Sequence, residues 1–289
     1  MHAARSPRGG RLMATTTADS KPASPSGRPS KSYANLLREL AITDYKIKYQ
    51  GSFLGGYIWT IAKPLLIFGV LYLVFTRFVR FGNGVPNYAV NLLLGIVLWT
   101  YFSDATVRAM ASIVERGDLI RKVYFPRMII VIATSLSSLI TLAFNLIVVA
   151  VFVIFSGVGL QLTAPLFVLL VLELYALTLG SSFLLAALYV KFRDFKHIWE
   201  LGLQLLFYAS PIIYPLSFVP SRYQALFALN PIAQIIQDSR RVLISPTTLT
   251  PLDVIHSPLV VVPYAIPIVV LVVGYLYFES AASQFAEEI

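Results

Sequence analysis

The sequence contains no cysteine, three histidines in 289 residues, and a charged fraction of only 13%. The missing cysteine excludes thiol catalysis, a disulfide framework and a cysteine-ligated metal. His2, His197 and His256 are too widely spaced for an HExxH-type zinc site. No GxxxxGK[ST] loop occurs, so ATP is not held in that manner. The loops expected to be cytoplasmic lack an acidic pair that could organise metal-dependent glycosyl transfer, and Glu287 and Glu288 read as a solvated end. No catalytic residue and no metal ligand is therefore nominated. An apolar secretory core is also missing from residues 1–32, whose Arg, Ser, Pro and Thr content predicts a disordered cytoplasmic tail.

What is present is apolar. Hydrophobic residues make up 57% of the chain and the mean hydropathy is +0.74. Soluble domains carry about a quarter of their residues as charges, so the expected solvent is a bilayer. A hydrocarbon core of about 30 Å needs roughly 20 apolar residues in a helix. Five stretches meet that requirement: 57–76, 88–107, 131–155, 165–188 and 259–278. A sixth, 201 to about 219, is interrupted by Pro211 and Pro215 and followed by Pro220. Proline removes an amide donor and clashes with the preceding turn, and irregular backbone at membrane depth needs shelter from lipid. The simplest path is one crossing that breaks near 210, then a re-entrant or outer-surface segment before the last helix. The fold class expected is an all-α integral membrane protein with six transmembrane helices.

The net charge is +9, and its distribution follows topology rather than nucleic acid. With a cytoplasmic N-terminus, the tail and the loops 108–130 and 189–200 hold seventeen of the 23 Lys and Arg. The outer side holds five: Arg77, Arg80, Arg222, Arg240 and Arg241. This satisfies the positive-inside rule and predicts a multi-pass membrane protein with both termini cytoplasmic. The expected organisation is a tail over 1–32, an amphipathic helix over 33–50, a transmembrane domain over 51–280 and a second cytoplasmic tail over 281–289.

The 33–50 stretch places Tyr33, Leu36, Leu37, Leu40 and Ile47 on one helical face, opposite Arg38, Glu39 and Lys46. That pattern suits an interfacial helix, or a short cytoplasmic helix packed on protein. Three charged groups stand out within the crossings. Lys63 can snorkel to the interface, Asp104 and Arg108 have the i,i+4 spacing of a helical ion pair, and Glu173 must face protein or water.

The stretch "ERGDLIRKVYFPR" at 115–127 puts six charges into thirteen residues between two apolar runs. It reads as a solvated, positive-inside loop, or as a hook whose Leu119, Ile120, Val123, Tyr124 and Phe125 insert into a partner. Aromatic anchors ringed by polar contacts supply most of the affinity of small interfaces.

Four stretches together resemble one family. The hook is similar to the coupling segment of the permease subunits of ABC-2 type ABC transporters, in the branch that exports lipid-linked polysaccharides: O-antigens, teichoic acids, capsular polymers and galactan. "YKIKYQGSFLGGYIWTIAKPLL" (45–66), "VKFRDFKHIWE" (190–200), and "SPIIYP" with "NPIAQIIQDSRR" (210–215 and 230–241) resemble further signatures of that family. Thr43, Gly51 and the "MIIVIA" after Arg127 depart from its pattern.

The resemblance implies that Leu119, Ile120, Arg121, Lys122, Tyr124, Phe125, Pro126 and Arg127 sit against a separate nucleotide-binding ATPase subunit. Arg193, Asp194 and His197 would make a smaller contact. It further implies two copies around a conduit, two ATPase subunits holding ATP and Mg, and a polyprenyl-diphosphate-linked glycan as cargo. No cofactor is expected in this chain. Tyr72, Tyr101, Phe102, Tyr175, Tyr208 and Tyr214 are aromatic candidates for the sugar path. Lys63, Arg77 and Arg80 are candidates for the lipid diphosphate. A permease for teichoic acid, a smaller lipid or a drug, a secondary transporter using Glu173, and a membrane scaffold remain open alternatives.

Overall fold

The computed structural model describes residues 35, 37–43, 56–79, 85–118, 126–159, 161–282 and 285. The elements are α1 (Gly56–Leu73, continued by a π-helical turn Val74–Phe78), α2 (Tyr88–Glu115), α3 (Met128–Phe155), α4 (Phe167–Lys191), α5 (Phe195–Ala209), α6 (Ser221–Ala228), α7 (Pro231–Leu243), α8 (Pro251–Val254) and α9 (Val262–Ala282). The chain is an all-α, multi-span membrane protein. Among the described residues, five helices are long and apolar enough to cross: α1 with its π turn, α2, α3, α4 with the short turn before it, and α9 with the turn that leads into it.

α2 is the central post. Val90, Leu92, Leu93, Leu94, Ile96, Val97 and Leu98 are buried although they point in every direction around the helix, and a helix apolar all round must be sheathed on all sides. Buried residues make up 78% of its most apolar stretch, against 11% in α1. At 28 residues it is about 42 Å long, so it outruns the hydrocarbon core.

α3 packs on α2, and its buried residues include Ala133, Thr134, Ser137, Ser138 and Asn145. Such small residues let membrane helices approach closely. The Thr134 and Ser138 hydroxyls donate to carbonyls four residues back, at 3.0 Å each. α4 and α9 approach still more closely. A Cβ added at Gly274 would lie 2.2 Å from the Gly180 carbonyl oxygen, and one at Gly180 would lie 2.5 Å from Leu271 Cα. Only glycine fits at either position.

The loop end of the bundle is closed by one apolar cluster of Ala109 and Ile113 from α2, Ile129–Val131 from α3, Val190 from α4, and Phe278 and Phe285. Helical residues 37–43 add Leu37 and Leu40 to it, with Arg38 and Glu39 exposed. The rest of the expected 33–50 helix lies outside the described residues except for Asn35, as does the 1–32 tail. The stretch from 281, expected as a tail, begins inside α9, and Phe285 is buried against Phe278 at 5.2 Å between ring centroids.

The broken sixth stretch begins earlier than its hydropathy suggests. α5 starts at Phe195 and ends at Ala209, where Ser210 turns extended before Pro211. The residue before a proline is driven out of the helical region. α5 is 15 residues long, shorter than a full crossing.

Candidate functional site

At the loop end, the hook residues Leu119, Ile120, Arg121, Lys122, Tyr124 and Phe125 lie outside the described residues. Pro126 is exposed and leads into α3. Arg127 sits over the Phe285 ring at 5.9 Å. The second loop lies at the same end, since Val190 just before it and Ile129 just after the hook share the same cluster. Arg193 covers the Tyr189 ring at 5.4 Å, and Asp194 precedes the first turn of α5. His197 is exposed and faces Glu200 at 3.9 Å. Two loops expected to meet one partner thus emerge from a single end of the bundle.

Between α2 and α5 lies a cleft of about 280 Å³, lined by Trp99, Ser103, Glu200, Gln204, Phe207 and Tyr208. Its walls are pinned from below. Trp199 Nε1 donates to Thr106 Oγ1 at 3.1 Å, and its ring meets Phe102 edge-on at 6.3 Å. Phe102 is accordingly buried beneath α5, while Tyr208 is exposed at the rim. The Tyr214 hydroxyl donates to the Tyr208 carbonyl at 2.9 Å, so these two candidates come together. Tyr101 is buried between helices and Tyr175 is half-buried in the same core. Tyr72 is exposed on α1, stacked on Phe68 at 5.5 Å.

Lys63 has a defined partner. Its Nζ donates to both carboxylate oxygens of Asp104, at 2.8 and 3.0 Å, tying α1 to α2. Arg108 instead donates from Nη2 to Ser138 Oγ at 2.8 Å and from Nε to the Asp104 backbone carbonyl at 3.3 Å. The pair expected along one helix is replaced by a bridge between two, because α1 delivers an ammonium to the carboxylate while Arg108 turns toward α3. Arg77 is exposed beyond α1, and Arg80 lies outside the described residues.

The opposite end holds the most constrained polar site. Asn230 caps α7, its side chain accepting from Ile232 N at 3.0 Å with Pro231 in the first turn. This is the favourable Asn-then-Pro order for starting a helix. Asn230 Nδ2 also donates to Ser210 Oγ at 2.9 Å, which joins the α7 start to the break after α5. Ten residues on, Arg240 is 4% exposed. Its Nε donates to the Asn91 carbonyl at 3.1 Å, Nη1 to the Pro211 carbonyl at 2.8 Å and Nη2 to the Ile212 carbonyl at 2.6 Å. Tyr88 adds a hydroxyl to the Ile213 carbonyl at 2.8 Å.

The carbonyls released where the prolines break the helix are thus collected by one planar guanidinium and one phenol. Gly95 makes room, since a Cβ there would lie 2.8 Å from Arg240 Nη2. Among the described residues no carboxylate lies within ion-pair distance of Arg240. Burial lowers its pKa to about 10, which leaves it charged at neutral pH.

Two satellites surround the clamp. Gln234 Nε2 donates to Asp238 Oδ2 at 2.9 Å and to Glu173 Oε2 at 3.3 Å, and Tyr264 OH donates to Asp238 at 3.0 Å. Glu173 therefore faces protein side chains from α7. Arg241 pairs with Asp253, which also accepts from the Thr250 N–H and O–H at 2.9 Å each. Partial burial acts to raise the Asp253 pKa, but those hydrogen bonds and Arg241 outweigh it and hold the carboxyl below its ordinary value.

In sequence Arg240 was one of five outer charges and lay within the 230–241 signature, with no role assigned to it. The available signal was a basic pair on an otherwise buried amphipathic helix just after a proline-broken run, whose freed carbonyls need donors.

The sequence matches the family model described as ABC-2 type transporter over residues 36–243. It is 31% identical over 259 residues to the O-antigen export system permease protein RfbA of Myxococcus xanthus, covering 89% of this chain and 96% of that one. An O-antigen export system permease protein RfbA of Klebsiella pneumoniae is 27% identical over 257 residues, or 88% of this chain and 94% of that one. The polysialic acid transport protein KpsM of Escherichia coli is 26% identical over 200 residues, 66% of this chain and 74% of its own length. With a membrane-embedded helical bundle and matches that run through the hook, the 192–194 loop and the clamp, the chain belongs to the ABC-2 type transporter family.

Proposed function

We propose that this chain is the permease subunit of an ATP-driven exporter that carries a polyprenyl-diphosphate-linked, O-antigen-like polysaccharide across the bacterial inner membrane. The observation that carries this reading is end-to-end similarity to O-antigen export permeases, over 88–89% of this chain and 94–96% of theirs. The chain itself conducts and does not hydrolyse. ATP and Mg belong to a separate nucleotide-binding subunit.

In this reading two copies face each other, each with six crossings. α5 with the extended 210–218 segment forms the broken crossing, α6 and α7 re-enter from the outer side, and residues 33–50 lie at the cytoplasmic interface. Both termini are cytoplasmic, supported by the charge asymmetry and by the convergence of the hook and the 192–197 loop at one end. Leu119–Arg127, with Arg193, Asp194 and His197, meets the ATPase, with Tyr124 and Phe125 as anchors. Tyr208 and Tyr214 beside the α2–α5 cleft are the path candidates that the geometry supports best. Nucleotide-driven closure of the ATPases then shifts the bundle between two conformations, which requires the hook to contact the two states differently.

The test is co-purification of the ATPase with the intact chain and with the double variant Tyr124→Ala, Phe125→Ala, together with transport of a lipid-linked glycan in vesicles. The expected result is nucleotide-dependent transport that disappears with ATPase binding in the variant, while the membrane subunit stays folded. Unaltered ATPase binding by the variant would remove the hook from the interface. Transport that needs no ATPase would overturn the reading altogether.

A further inference from the structure

Arg127, the last residue of the hook, stands at the N-cap of α3, whose first turn holds no acidic residue. A helix start carries partial positive charge and repels a guanidinium. Among the described residues no carboxylate lies within ion-pair distance of Arg127. The face of Phe285 takes that place, with the guanidinium carbon 5.9 Å from the ring centroid. Phe285 in turn is 1% exposed, although it lies beyond the end of α9 in a stretch expected to be a tail.

The ring is held from several directions. It meets Phe278 of α9 edge-on, at 5.2 Å between centroids. It shares one apolar cluster with Ile113 near the end of α2 and with Ile129 and Ile130 in the first turn of α3. Those are the two helices that the hook joins. Leu37 and Leu40, from the other end of the chain, pack on the same cluster. A buried ring at the foot of both legs cannot reorient without disturbing them, because interiors at native density leave little free volume. Its negative face is therefore a fixed platform, and a guanidinium over it is drawn to one place. A ring contact uses the charge of the cation and leaves its N–H donors for a carboxylate elsewhere.

We infer that Phe285 is a positioning residue for the ATPase interface: its ring, brought in by the C-terminal segment, holds the Arg127 guanidinium at the base of the hook, where an acidic side chain of the ATPase meets it. The inference rests on the reading above that the hook contacts that subunit. Phe285 is buried, so it acts through Arg127 and not by touching the partner.

The experiment is titration of the fluorescently labelled ATPase subunit onto the full chain in lipid nanodiscs, with thermal unfolding of each variant alongside. Phe285→Leu and Phe285→Tyr should both lower the thermal midpoint, leucine by leaving part of the ring's volume empty and tyrosine by burying a hydroxyl. Only leucine removes the ring. It should weaken ATPase binding about two- to fivefold, the span of an exposed cation–ring contact, whereas tyrosine should bind as the parent does. In an Arg127→Met background, Phe285→Leu should weaken binding no further. A purely structural Phe285 would make binding follow the thermal midpoint in both variants, and that result overturns the inference. So does parent-like binding by Phe285→Leu, or an equal loss from it with and without Arg127. Each of these leaves the export reading standing, because the parent still binds. A parent chain that never binds the ATPase overturns the export reading, and this inference with it.

Discussion

Replacing Arg240 by methionine should disconnect α7 and the turn after α5 from the central helix α2. The side chain donates to three carbonyls, but these are not equivalent. The Asn91 carbonyl lies inside α2, where the helical ladder already supplies a donor. The Pro211 and Ile212 carbonyls lie in the proline-broken turn and have no ladder. Methionine fills similar volume and leaves two buried carbonyls unmet, at about 1–3 kcal/mol each. Relief from burying a cation offsets part of this. The expected net loss is roughly 2–5 kcal/mol, and at about 2–4 °C per kcal/mol in a chain of this size the thermal midpoint falls by several degrees or more.

Lysine should rescue little, because a single ammonium cannot span three carbonyls set around a planar fork. The decisive arm uses Gly95. Gly95→Ala alone should destabilise, since its Cβ would lie 2.8 Å from Arg240 Nη2. In the Arg240→Met background that guanidinium is gone, and the alanine should cost much less. The assay is intrinsic-fluorescence unfolding of the detergent-purified chain through a double-mutant cycle. Additive effects, or an Arg240→Met midpoint equal to the parent's, would refute the clamp.

Two further outcomes follow from the packing. Gly274→Ala would bring its Cβ to 2.2 Å from the Gly180 carbonyl oxygen and force α4 and α9 apart; a loss of about 1–3 kcal/mol or more is expected in the same unfolding assay, and parent-like stability would refute the close crossing. Lys63→Asp should reduce transport by breaking the α1–α2 bridge, and adding Asp104→Lys should restore it, with stability changes of only about 0–1 kcal/mol because both groups are partly exposed; a double variant that folds but stays inactive would place Lys63 on the substrate instead.

Several parts of this protein were legible without coordinates because they depend on local chemistry. An apolar run of sufficient length specifies a membrane helix whatever its neighbours are, so five crossings could be read directly. Pro211 forbids continuation of α5 by its own covalent geometry, and Asn230–Pro231 is a helix start in any setting. The charged loops and their common side follow from where lysines and arginines fall between apolar runs.

Pairing was not legible, because it depends on which faces meet. α4 and α9 are apolar on most sides, so no periodicity marked Gly180 and Gly274 as the point of closest approach. Asp104 could have paired with Arg108 on its own helix; the position of α1 gave it Lys63. Tyr101 and Phe102 look like Tyr208 in sequence, yet burial separates two core aromatics from one at a rim. Arg240 read simply as one of five outer charges because sequence shows its charge and not its partners. The tertiary structure alone brings to it the carbonyls of Asn91, Pro211 and Ile212, and a buried cation is stable only where such a set of acceptors has been assembled around it.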